Sequence, residues 1–73
     1  MNDLILQILN ATNDKNCRSI DDINEKYYVF SDHPDLVYII DKKTFKKVGT
    51  TSLIEMMCDG IITEKTAPVW KRD

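Results

Sequence analysis

Lys26-Tyr27-Tyr28-Val29-Phe30-Ser31-Asp32-His33-Pro34-Asp35-Leu36-Val37-Tyr38-Ile39-Ile40-Asp41-Lys42-Lys43-Thr44-Phe45-Lys46-Lys47-Val48-Gly49 is the stretch that decides the fold. Residues 27–30 and 36–40 are runs of aromatic and β-branched side chains, each the length of a strand. Asp32-His33-Pro34-Asp35 between them reads as a turn, because proline removes a ladder donor and aspartate satisfies turn amides with its own carboxylate. Asp41-Lys42-Lys43-Thr44 is the next reversal, and residues 45–48 form a short third strand that ends at Gly49. The product is an antiparallel meander of three strands, which needs a helix on one face to be stable.

Working outward, residues 3–13 read as a helix. Asn2 is its cap, Asp3 complements its dipole, and Leu4, Ile5, Ile8 and Leu9 form one stripe that Leu6 widens. Five large aliphatics are more than a surface helix needs, so this helix is either the centre of the core or partly covered by a partner. Residues 10–18 lack periodicity, so they close the helix and begin a loop. Ser19-Ile20-Asp21-Asp22 resembles a capping box and predicts a short helix over 20–25, with Ile20 and Ile23 inside and Asp21, Asp22 and Glu25 outside. Ser52-Leu53-Ile54-Glu55 is a full capping box, and Gly60 followed by Ile61 is a stop signal, so a second helix is predicted over 53–59. Leu53, Ile54 and Met57 give its buried stripe, with Met56 beside it. The tail from Ile61 starts like a strand, and Pro68 confines the rest to an edge or an arm.

The expected fold is therefore α+β: an N-terminal helix, a three-stranded antiparallel β-meander, a second short helix and a C-terminal extended segment. It is expected to form one domain over residues 1–73, with 66–73 as a loose arm. Leu4, Ile8, Leu53 and Met57 are expected to pack together on one face of the meander.

Seventy-three residues give a small core, of the kind usually reinforced by disulfides, metal or self-association. Cys17, Cys58 and His33 are too few and too scattered for a disulfide framework or a zinc site. Self-association through the apolar first helix, as a homodimer, is then the expected reinforcement. Residues 4–9 lack a positive n-region and a cleavage site and are too short to span a bilayer, so a soluble, cytoplasmic chain with no membrane partner is expected. The net charge of −2 divides into −5 over residues 1–41 and +3 over residues 42–73, which predicts a polarised molecule. Ile, Asn and Lys supply 22 of the 73 residues, a balance that resembles proteins of AT-rich bacteria and their phages.

No constellation points to catalysis. His33 has acidic neighbours in Asp32 and Asp35 but no serine or cysteine placed as a nucleophile. Gly49 and Gly60 do not form a phosphate loop, and Asp21 and Asp22, adjacent on a helix, would not face each other. No catalytic, cofactor-binding or metal-binding residue is assigned, and no enzyme activity is expected. The candidate partner-binding residues are an acidic set (Asp21, Asp22, Glu25), a basic hairpin (Lys42, Lys43, Lys46, Lys47) and Tyr38 and Trp70 with Lys71 and Arg72. Tyrosine and tryptophan supply amphipathic contact area of the kind found in binding hot spots. The leading expectation is a non-catalytic modulator or inhibitor, phage-like in composition, that binds a larger host protein. Alternatives are an RNA- or DNA-binding module, in which the lysines meet phosphates and the rings stack on bases, and a self-assembling structural subunit.

Overall fold

The computed structural model describes residues 3–33, 35–60 and 67–72. Its elements run α1 (Asp3–Thr12), β1 (Cys17–Ile23), β2 (Lys26–Ser31), β3 (Val37–Asp41), β4 (Lys47–Thr51), α2 (Leu53–Cys58) and β5 (Ala67–Lys71). The five strands form one antiparallel sheet in the order β4-β3-β2-β1-β5. The chain is α+β as expected, with a larger sheet than the sequence suggested.

Strands β1 to β4 are a four-stranded meander, and β5 then joins the free edge of β1. The connection after β4 therefore crosses the sheet from one edge to the other, and it carries α2 over one face. Two compact turns set the register. Asn24, at φ 56°, opens the two-residue loop between paired Ile23 and Lys26. Phe45, also at φ 56°, reverses the chain between β3 and β4, with its amide bonded to Asp41 O at 2.9 Å. Because Phe45 is in the turn, β4 starts at Lys47 and runs past Gly49, two departures from the expected third strand.

Side chains alternate between the two faces of the sheet. On one face, Ile20, Val29, Tyr38 and Ile40 pack with Ile5 and Ile8 of α1, and Cys17 completes this cluster. On the other, Ile23 and Val37 pack with Met56 of α2, and Tyr28 and Phe30 border them. The helices thus lie on opposite faces. Leu53 and Met57 do not join Leu4 and Ile8, and the expected four-residue cluster on one face does not form.

The segment expected as a short helix over 20–25 is strand β1 and the hairpin turn. Ile20 and Ile23 suggested one helical stripe because they are three apart. In a strand that spacing puts them on opposite faces, and both are buried, at 0% and 6% exposure, because each face has its own helix. Of the two forms expected after Pro68, an edge or an arm, Ala67–Lys71 takes the edge: it is strand β5, paired with β1. An edge tolerates proline because a strand with one neighbour can do without one ladder donor.

Helix ends follow their signals. Asn13 adopts φ 57° after α1 and donates to Asn10 O at 3.2 Å. Ser52 caps α2 by accepting the Glu55 amide at 3.1 Å, while the Glu55 carboxylate accepts from Thr51 Oγ1 at 2.9 Å. Gly60, at φ 70°, closes α2 in the left-handed region. The expected cap at Asn2, Pro34 in its turn, the apolar contact at Ile61, the strand-like start of the tail and Asp73 lie outside the described residues.

Candidate binding surface

Helix α2 has six residues, fewer than two turns, and only Met56 among them is buried. Leu53, Ile54 and Met57, expected as its buried stripe, are instead 37%, 67% and 63% exposed. Met57 lies four positions after Leu53 and three after Ile54, so it neighbours both on the helix surface and the three make one apolar ridge. The preceding strand, β4, is an edge that pairs only with β3 among the described residues, and its Val48 is 56% exposed. A strand edge of this kind has backbone donors and acceptors open on one side.

Beside the first turn of α2 lies a cleft of about 370 Å³. Phe30, Leu36, Val37 and Leu53 supply its apolar lining. Ser19, Phe30 and Val37 are register partners across β1, β2 and β3, so they stand in one row on the α2 face, with Lys71 of β5 opposite Ser19. Arg18, Lys71 and Arg72 line the same cleft. Asp32 takes Arg72 Nη2 at 2.8 Å and Arg18 Nε at 3.7 Å, and the Arg72 amide bonds Arg18 O at 2.7 Å.

The basic hairpin is partly occupied by the chain itself. Lys42 donates to Asp22 and to Asn24 O, and its ammonium lies 5.3 Å from the Tyr27 ring centre. Lys47 lies 5.6 Å from the Tyr38 ring centre. Lys43 and Lys46 are exposed. The acidic residues do not share a face. Asp22 points to the α1 side with Lys42, Asp21 lies on the α2 side opposite Tyr28 and Pro68, and Glu25 is in the turn. Burial pushes the Asp21 carboxyl above its ordinary range. Antiparallel pairing brings the acidic half of the sequence against the basic half, as Asp22–Lys42 and Asp32–Arg72, so the opposed charges are interleaved rather than gathered at two poles.

The aromatic candidates are also divided. Tyr38 is 8% exposed, with its ring in the core. Trp70 is half-buried opposite Ile20 on the α1 side and packs against the same cluster, whereas Lys71 is on the other face. Tyr27 is half-buried and stacks on Phe45 at 6.3 Å between ring centres.

A polar knot fastens the loop after α1. Tyr38 Oη donates to Asp14 Oδ2 at 2.7 Å, and the Asn16 amide donates to Asp14 Oδ1 at 2.8 Å. These bonds, the Asn16 amide first, hold the Asp14 carboxyl below its usual value. The bond to that carboxylate, followed by burial, pushes Tyr38 up to about 12. Buried Thr12 donates to Leu9 O at 2.7 Å and lies 3.5 Å from Cys17 Sγ. Cys17 is buried in the α1-side cluster, and that burial pushes its thiol up, while Cys58 is exposed.

Among the described residues, no group of three or more His, Cys, Asp or Glu is placed to hold a metal, and no helix is long and apolar enough to cross a membrane. Val48, Arg18 and the exposure of the α2 ridge carry no distinct signal in the sequence. Four of the six residues in α2 are large and apolar, so periodicity could not select which one faces the sheet. Comparison of the chain with protein-family models, with curated protein sequences and with solved structures finds no match.

Proposed function

We propose that this chain is a small protein-binding modulator that docks on a larger protein through the α2 ridge and the adjoining open edge of β4. The observation that carries this reading is the exposure of Leu53, Ile54 and Met57 on a helix too short to need them for its own anchoring. Contiguous exposed apolar side chains are uncommon on small monomers and mark interaction sites. An open strand edge beside them offers main-chain hydrogen bonds to an added segment. The chain acts by occupying a surface rather than by catalysis, and its composition fits a phage-encoded modulator or inhibitor working in a host cytoplasm.

The nucleic-acid reading has weaker support, since Tyr38 is buried, Trp70 packs on the core and Lys42 is engaged by Asp22. The dimer reading through α1 is also weaker, because Ile5 and Ile8 are turned into the sheet and Leu6 is the large exposed apolar residue of that helix.

The test is affinity capture from a host lysate with the wild-type chain and with an Ile54→Ser/Met57→Ser variant, compared by mass spectrometry. Both side chains are exposed, so the variant keeps its circular dichroism spectrum and unfolding midpoint. The wild type retains a defined partner and the variant loses it. Retention of the same partner by the variant would refute the reading.

A further inference from the structure

The cleft beside α2 combines two chemistries, an apolar lining and a cationic one. Its floor is apolar, from Phe30, Val37 and Leu53, and three cations, Arg18, Lys71 and Arg72, line it as well. The two arginines share a single carboxylate. Asp32 engages Arg18 and Arg72, while Lys71 has no ion-pair partner among the described residues. The cleft thus has an excess of positive charge in a chain whose net charge is −2. Asp32 also shows what this corner accepts, namely a carboxylate held between two guanidinium groups.

Leu53 belongs to both features: it lines the cleft and begins the exposed α2 ridge. An occupant that fills one therefore meets the other. A carboxylate on an aliphatic stem suits an apolar floor with a cationic rim. A phosphate, doubly charged and strongly hydrated, would lose more solvation against Phe30 and Val37 than a carboxylate does.

We infer that the cleft receives an acidic side chain from a peptide segment of the partner, whose neighbouring aliphatic residues lie on Leu53 and along the α2 ridge. This rests on the protein-binding reading and names the chemistry that the surface selects. The acid sits at Lys71 and completes the pairing that Asp32 leaves open. The aliphatic neighbours cover Leu53 and Ile54, where they remove apolar surface from water.

The probes are a blocked octapeptide of leucine, alanine and glutamate and its glutamine counterpart, each titrated into the full ¹⁵N-labelled chain and followed by amide shifts. The glutamate peptide shifts Ser19, Phe30, Leu53 and Lys71, and binds more weakly as salt rises. The glutamine peptide, and the glutamate peptide on a Lys71→Gln variant, each bind about threefold or more weakly, the scale of one exposed ion pair. Equal binding of the two peptides, shifts confined to the α1 face, or no shift at millimolar peptide would overturn the inference. So would shifts at these residues driven by protein concentration alone, which would assign the cleft to a second copy of the chain. If Lys71→Gln captures the lysate partner as well as wild type while Ile54→Ser/Met57→Ser does not, the docking reading stands and the acidic contact fails.

Discussion

Replacing Tyr38 by Phe removes one oxygen from the polar knot and leaves the buried ring in place. The lost bond is 2.7 Å long and runs to a carboxylate, the stronger class of hydrogen bond, worth about 1.5–3 kcal/mol when well shielded. Asp14 is only half-buried, so water replaces part of what the hydroxyl supplied, and the expected cost at neutral pH is about 1 kcal/mol. For a chain of this size that lowers the thermal midpoint by roughly 4–8 °C.

The pH dependence separates this bond from simple packing. The Asp14 carboxyl lies below its ordinary value of 3.8 in the folded chain, so its contribution is present above that value and is lost as pH falls through the folded pKa. Tyr38 moves the opposite way, from 10.0 to about 12, so its contribution is complete below 10 and fades as pH climbs toward 12. The gap between wild type and Tyr38→Phe is therefore widest from about pH 5 to 9 and closes at both ends. Urea unfolding followed by far-ultraviolet circular dichroism, at pH values from about 2 to 11, measures it. A gap that stays constant down to pH 2, or that is absent at pH 7, would refute the reasoning.

Met56→Ala removes the buried anchor of α2 and is expected to cost about 2–4 kcal/mol, whereas Met57→Ala, one position on and exposed, changes stability by less than about 0.5 kcal/mol; urea midpoints of the two variants check this. With a thiol-specific chromogenic reagent at pH 8, Cys58 reacts at once and Cys17 only as the chain unfolds, because burial raises the Cys17 thiol and closes access to it; a rapid reaction at both sites in the native chain would contradict the packing.

What the sequence determined by itself was local. The aromatic and β-branched runs specified β2 and β3, the Ser52 cap and Gly60 specified the ends of α2, and the aliphatic stripe specified α1, because each of these follows from interactions within a few residues. The end-to-end balance of charge was also visible, but not its pairing: Asp22–Lys42 and Asp32–Arg72 exist only because antiparallel strands bring distant residues together. Tertiary structure decided β1 and the binding surface. Ile20 and Ile23 suit a helical stripe as well as a strand covered on both faces, and only two helices on opposite faces of the sheet make the strand the better burial. Similarly, α2 offers several apolar residues to a sheet that buries one. The choice of Met56 falls to the path of the chain across that face, and it leaves Leu53, Ile54 and Met57 outside.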